Sequence, residues 1–326
     1  MKFSFNRTIF VPTLVLVASL FLSFISSNAN AADEYPSKTI TFVLPVPPGN
    51  AGDLAARFLA EKLSKNIKQS VVVENRVGAG GNIGAAYVAK AAADGYTVLI
   101  GSSGLFTTNE HLYKLPFNPH TSFIPVTLIF SGAPFLVTNP KTGPATINEV
   151  LEMSRKQPGK YSYASYGAGH ISHILGEMLQ NAANIDMLHI PYKNAPLTDV
   201  MSGQVDLIFE SPLLVATNAT RLRPLAVVSV KRNPKLPDVP AIAEFLPGFE
   251  MTGWIGAFLP EGTPDGVVNR LHSELLSVIN SDDFKKRMGD QMLDPGGNSP
   301  KDFAAYIAKT SERVGRVVKE NNIKVD

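Results

Sequence analysis

The chain has 326 residues, 30 basic and 28 acidic side chains, a formal net charge of +2 and no cysteine. This near-neutral balance offers no basic face for nucleic acid, and the absence of cysteine excludes disulfides and thiol chemistry. The length suits one large domain or two ordinary ones.

The first 31 residues have the pattern of a secretory signal peptide. Lys2 and Arg7 flank a start without acids, an apolar run covers residues 9–25, and residues 29–31 (ANA) form an Ala-x-Ala cleavage site. We therefore expect cleavage directly after this triplet and a mature chain located in the periplasm. Without a cysteine to carry a lipid anchor, that chain is expected to be free in solution, and it has equal numbers of basic and acidic side chains.

Apolar runs of strand length alternate with segments of helical period along the mature chain. This alternation predicts mainly parallel sheets flanked by helices, in one block up to about residue 131 and a second over 132–250. A return strand then leads into a helical tail that we expect to pack on the first block. The predicted strands are 39–45, 70–74, 97–101, 135–139, 161–165, 186–190, 204–209, 223–230 and 251–260.

Residues 71–84, VVVENRVGAGGNIG, have the strand, glycines and helix with which a dinucleotide-binding fold begins. That fingerprint requires glycines at its first, third and sixth places and an acidic residue about 20 positions further on. Counted from Gly78, the sixth place is Ile83, and the downstream region TVLIGSSG has no acid. We predict a turn in which backbone approaches backbone, and no nucleotide cofactor.

Two other glycine-bearing loops, 45–53 (PVPPGNAGD) and 165–173 (SYGAGHISH), each follow a predicted strand and open a helix. Ligands of open α/β sheets bind outside the carboxyl ends of strands, and the N–H groups of a helix start attract anions without a cationic side chain. Asp53 is expected to cap or orient its helix. One such loop in each block predicts two jaws that face each other across a cleft.

Catalytic and metal-binding functions have less support. His170, His173 and Glu177 share a helix at spacings of three and four, but no further ligand completes a metal site, so we expect none. No G-x-S-x-G elbow is present, and no catalytic residue is expected. An exported serine or metal hydrolase is kept as the alternative from another class.

Several motifs resemble one family, the substrate-binding proteins of tripartite tricarboxylate transporters, also called Bug-type periplasmic binding proteins. The resemblance covers nearly the whole mature chain, and its segment VENRVGAGGNIG is quite specific to that family. The other motifs are YPSKTITFVLPVPPG, AAYVAKAAADGYTVLIGSSG, HIPYK, GQVDLIF, LPDVPAIAE and EGTP.

The resemblance implies a two-lobed type II periplasmic binding protein, or Venus flytrap, that is not an enzyme and has no cofactor. Lobe 1 is expected to comprise 32–131 plus 251–326, and lobe 2 132–250. The protein would act as a monomer that captures a small carboxylate and delivers it to the permease subunits of a tripartite transporter. A ligand-binding sensor that feeds a membrane kinase is the alternative, because it needs the same clamshell.

The family's ligand contacts carry over by motif to both loops, where main-chain N–H groups would hold one carboxylate. His170 and Ile171 replace two hydroxyl residues, which favours a bulkier or less charged acid, including an aromatic one. Tyr166 and Phe106 would add an aromatic wall. The other predicted contacts are Pro48, Gly49, Asn50, Ala51, Asp53, Ser103, Ser165, Gly167, Ala168, Gly169, Lys193 and Glu210.

Overall fold

A computed structural model describes Met1 and residues 35–49, 51–192 and 195–324. The chain divides into two compact units, residues 1–37 and 38–326, and every element described below belongs to the second. The predicted signal peptide and its cleavage site fall within 2–34, outside the described residues. Asn50 and Lys193 also lie outside them.

The first sheet has six strands in the order β11-β4-β10-β3-β1-β2. Strands β1, β2 and β3 pair in parallel, whereas β10 runs antiparallel to both β3 and β4. The bounds are β1 Ile40–Leu44, β2 Val71–Asn75, β3 Thr97–Ser102, β4 Phe123–Gly132, β10 Gly253–Pro260 and β11 Asp294–Pro295.

The second sheet has five strands in the order β7-β6-β8-β5-β9. Strand β6 pairs in parallel with β7 and β8, and β5 is antiparallel to β8 and β9. The bounds are β5 Phe135–Thr138, β6 Ser162–Ser165, β7 Leu188–Pro191, β8 Leu207–Glu210 and β9 Arg223–Val227.

Helices flank both sheets, which confirms the predicted α/β class. In the first half of the chain they are α1 Ala51–Ile67, α2 Asn82–Ala89, α3 Ser103–Thr107, α4 Asn109–Leu112 and α5 Ile147–Lys156. In the second half they are α6 Ile171–Ala183, α7 Pro196–Ser202, α8 Pro212–Thr217, α9 Asp265–Ile279, α10 Asp282–Asp290 and α11 Pro300–Glu320.

The pairing within the sheets is mixed, where the sequence predicts mainly parallel sheets. The antiparallel strands β4, β5 and β10 lie where the chain passes between the sheets, and a strand that returns from the other sheet enters in the opposite direction. Strand β4 was not predicted. Its Pro125 cannot donate to a ladder, and the pairing with β10 shifts register between Ala257 and Phe258, beside this proline.

The last helix, α11, begins at Pro300 behind an N-cap at Ser299, whose side chain accepts the N–H of Asp302. Its apolar stripe divides between two cores. Phe303 and Ile307 pack in the cluster of the first sheet. Val314 and Val318 pack in the cluster of the second sheet, together with Ile323 just beyond the helix. The expectation that the tail packs on the first block is therefore only half right, because its second half packs against the other sheet.

Within 35–49, 51–192 and 195–324, none of the helices combines the length and the apolar character that a membrane crossing needs.

Candidate functional site

The first loop is anchored by the buried carboxylate of Asp53, which is 2% exposed. Its Oδ2 accepts the N–H of Gly49 at 2.9 Å and Nε of Arg57 at 3.0 Å. Its Oδ1 accepts Nδ2 of Asn75 at 2.9 Å. Asp53 therefore ties the loop and the start of α1 to the end of β2, which confirms that it orients the helix.

The charge state of Asp53 follows from these contacts. Burial raises the pKa of this carboxyl, but the hydrogen bonds from Arg57, Gly49 and Asn75 outweigh burial and hold it below its ordinary value. The Gly49 N–H is thus hydrogen-bonded to an ionised carboxylate. Pro48 and Gly49 are exposed at the tip of the loop, and Ala51 is the first residue of α1.

The glycine turn at 78–84 packs against Pro45, the first residue of this loop. A Cβ on Gly84 would lie 2.8 Å from the carbonyl oxygen of Arg76 and 3.0 Å from Cβ of Pro45. A Cβ on Gly81 would lie 3.2 Å from Pro45. The close approach of backbone to backbone that the sequence predicts is confirmed, and it is the reason that these positions exclude larger residues.

Ser103 follows β3 of the first sheet, and Ile171 opens the helix that comes after β6 of the second. Both line one small cavity, so the structure brings these two predicted contacts together. Ser103 opens α3 and Ile171 opens α6. The cavity is lined by Ser103, Gly104, Thr107, Thr108, Ile171, Met251, Thr252, Thr310 and Val314. The sequence did not indicate the contribution of α11, because only the tertiary fold places that helix here.

Phe106 does not form a cleft wall, and that prediction is wrong. Its side chain is fully buried and stacks on Phe258 with 3.9 Å between ring centroids. Phe106 faces the interior of the first core because the short helix α3 presents its apolar side to the sheet.

Most main-chain donors of the second loop are already hydrogen-bonded within it. The bonds are Tyr166 N–H to Ser172 Oγ, Gly167 N–H to Ser165 Oγ, Gly169 N–H to His173 Nδ1 and His170 N–H to the Gly167 carbonyl, all 3.1–3.2 Å. Only the N–H groups of Ala168 and Ile171 have no partner among the described residues. The loop therefore presents two available amides, where a full row was expected.

His170 adds a side-chain donor to these two amides. Its Nδ1 accepts the N–H of Ser172 at 3.2 Å and thereby caps α6. Because Nδ1 acts as the acceptor, the proton of the neutral imidazole lies on Nε2. His170 thus offers one side-chain N–H in addition to the two amides.

A stack of aromatic and titratable side chains contacts the second loop at Ser165 and Gly169. His173 lies 4.0 Å above the ring of His189 and its Nε2 is 3.6 Å from Glu177 Oε1, which also accepts the phenol of Tyr163 at 2.7 Å. Nε2 of His189 is 2.7 Å from Oγ of Ser165. Burial lowers the pKa of His189 to about 4, so this ring is neutral.

The Ser165–His189 pair does not support hydrolysis. Ser165 is fully buried, and its hydroxyl is within 3.2 Å of both the N–H and the carbonyl of Gly167. A nucleophile must reach its substrate, and this one is occupied inside the loop. Within the described parts of the chain, no group of three His, Asp or Glu side chains is placed to hold a metal ion.

Tyr166 and Glu210, which were predicted separately as ligand contacts, are hydrogen-bonded to each other, with the phenol donating to Oε2 at 2.7 Å. The sequence reasoning missed the partners behind the loops, namely Arg57, Asn75 and the His173–His189 stack. The spacing of Asp53 and Arg57 by four residues was a visible signal for an ion pair on one helix face. The other partners meet only through strand pairing, which has no local signature.

A family model described as "tripartite tricarboxylate transporter family receptor" matches residues 55–323. The UPF0065 protein in the tcbD-tcbE intergenic region of Pseudomonas sp. (strain P51) is 37% identical over 307 residues, 92% of this chain and 91% of that protein. Protein BugT of Bordetella pertussis is 31% identical over 302 residues, 90% of this chain and 93% of that protein. These matches confirm the resemblance drawn from the motifs.

Solved structures give the same result for the fold. A periplasmic transporter is 35% identical with a TM-score of 0.80, covering 90% of this chain and 100% of that one. R. palustris Rpa4515 with adipate is 31% identical with a TM-score of 0.81, covering 89% and 99%. MatC from Rhodopseudomonas palustris with bound malate is 26% identical with a TM-score of 0.76, covering 87% and 100%.

Proposed function

The chain belongs to the tripartite tricarboxylate transporter receptor family, and on that premise we propose that it captures a small carboxylate between two lobes and delivers it to a membrane permease. The family and its structural neighbours are periplasmic binding proteins and not enzymes. Adipate and malate are the ligands of two neighbours, and both are small dicarboxylates. We propose that the present chain also binds a small dicarboxylate.

The observation that carries the proposal is the small cavity lined by both Ser103 and Ile171, which open helices that follow strands of different sheets. Around it, a carboxylate would accept the N–H groups of Ala168 and Ile171, the Nε2–H of His170 and the hydroxyl of Ser103. All four donors are uncharged. They hold an anion without a cationic side chain that would be left unpaired each time the ligand leaves.

We place the lobes at 32–131 plus 251–326 and at 132–250, with the hinge where the chain crosses between the sheets. Gly132 at the end of β4 faces Gly253 at the start of β10 in the pairing of these strands. Two facing glycines allow the backbone rotation that a hinge requires. Closure is a population shift, so the ligand must bind the closed state better than the open one.

Isothermal titration calorimetry with adipate and malate tests the ligand class, with 1,6-hexanediol as the uncharged control of similar length to adipate. The proposal predicts saturable binding of a dicarboxylate and no heat from the diol. Equal binding of diol and diacid, or no binding of either diacid, would contradict it. Pull-down of permease subunits from membranes by the loaded protein tests the delivery step separately.

A further inference from the structure

Tyr166 spans the carboxyl ends of two neighbouring strands. It follows β6, and its phenol donates to Glu210 at the end of β8 at 2.7 Å. These strands pair in parallel, with Ala164 opposite Ile208. Tyr166, a residue that is 36% exposed, therefore lies along the end of the sheet at which ligands of α/β proteins bind.

Both ends of this tyrosine are fixed. Its N–H donates to Ser172 Oγ at 3.2 Å, and its phenol partner Glu210 is only 4% exposed and also accepts the N–H of Ser211 at 2.6 Å. A buried carboxylate is costly unless it is hydrogen-bonded, so the phenol of Tyr166, together with Ser211, makes the burial of Glu210 tolerable. A partly exposed ring is thus held in one orientation by a buried acid.

A second planar side chain lies beside the ring. The imidazole of His170 is 5.0 Å from Tyr166 between centroids, with the planes tilted by 52°. The two available amides of the loop, Ala168 and Ile171, belong to the same short segment. A carboxylate on these amides would therefore place its carbon skeleton next to two flat, preoriented surfaces.

We propose that Tyr166 is a specificity-determining residue that selects carboxylates carrying a planar aromatic ring over flexible aliphatic ones. The inference rests on the proposed function, because it assumes that the carboxylate binds at the second loop. Contacts between aromatic rings in offset or edge-to-face geometry add roughly 0.5–1.5 kcal/mol beyond the area buried, which corresponds to a preference of about twofold to tenfold. A ring that is already fixed loses little conformational entropy when a ligand packs on it.

Terephthalate and adipate form a suitable pair of probes, because each carries a carboxylate at both ends and only one has a ring between them. Calorimetry on the full mature chain should give terephthalate the lower Kd, by about twofold to tenfold. Tyr166→Leu should abolish this preference, so that the ratio of the two Kd values approaches one whatever the change in either value alone. Tyr166→Phe, which keeps the ring and loses only the Glu210 bond, should retain part of the preference.

Two controls separate specificity from folding. Tyr113→Leu removes a tyrosine of similar exposure, 37%, away from the loop, and should leave the preference intact. The melting temperature of each variant reports the cost of leaving Glu210 without its phenol. Equal Kd values for the two acids in the wild type, or a preference that survives Tyr166→Leu, would overturn the role of Tyr166. Failure of both acids to bind would overturn the proposed function itself.

Discussion

The main-chain N–H of Gly169 donates to Nδ1 of His173 at 3.1 Å, so the second loop is held by a side chain of its own helix. Gly169 has a φ of +78°, in the left-handed region that favours glycine. The histidine in turn lies on His189, whose ring hydrogen-bonds Ser165 at the start of the loop. Loop geometry and the histidine stack therefore form one unit.

Gly169→Pro should abolish adipate binding and leave a cooperative melting transition. Proline removes the N–H that His173 accepts and cannot adopt the positive φ, so the loop must rearrange while both sheets stay intact. Gly248→Pro is the matched control, because Gly248 has a similar φ of +82° with nothing within 4 Å of its Cβ position. Unchanged affinity of the Gly169 variant in calorimetry would mean that the site has been misplaced.

Asp53→Ala should destabilise the protein by roughly 1–3 kcal/mol, the range for removing a buried hydrogen-bonded acceptor. The N–H of Gly49 and the amide of Asn75 would lose their partner, and the first loop its anchor. Urea denaturation measures the change. Glu61→Ala on the same helix breaks the exposed pair with Lys65 and should leave the stability close to that of the wild type. Similar shifts in both variants would show that Asp53 is not an anchor.

Stability should fall as the pH decreases from about 6.5 to 4 because of His189. Burial lowers the pKa of this histidine from 6.5 to about 4 in the folded state, so the unfolded chain binds more protons in that window. The stabilisation is complete above pH 6.5 and is lost as the pH falls through the folded-state value. The nearby imidazole of His173 and the hydrogen bond from Tyr163 lower the pKa of neighbouring Glu177. Protonation of this carboxylate at acidic pH therefore adds a loss of stability in the same direction.

His189→Phe tests this assignment, because a phenyl ring preserves the stack on His173 and does not titrate. The variant should show a flatter dependence of melting temperature on pH between 6.5 and 4 than the wild type. An identical pH profile in both proteins would assign the acid sensitivity to other groups.

The strand-helix alternation was sufficient to predict the two sheets, because the buried runs of β1, β3, β8 and β9 are apolar and short. Strand β4 was not predicted because a proline such as Pro125 is typical of a break between elements. The pairing of β4 with β10 shows that a register shift accommodates this proline within the strand. The sequence also did not predict that α11 packs against two different cores. Its stripe is continuous in sequence, and only the fold decides which sheet each part meets.

The positions of the two glycine loops were predictable from the sequence, but their internal hydrogen bonds were not. Both glycine loops lie at strand ends, as the turn chemistry indicates. The sequence could not reveal that the N–H groups of Gly49 and Gly169 donate to Asp53 and His173. These hydrogen bonds depend on how each loop folds back on its own helix. The number of amides left for a ligand follows from that folding and not from the glycines themselves.

A crystal structure of the mature chain with adipate tests the central claim most directly. The account predicts one carboxylate within hydrogen-bonding distance of the Ala168 and Ile171 N–H groups and of Nε2 of His170, with Ser103 facing it from the other lobe. An occupant bound elsewhere, with these donors in contact only with solvent, would contradict it.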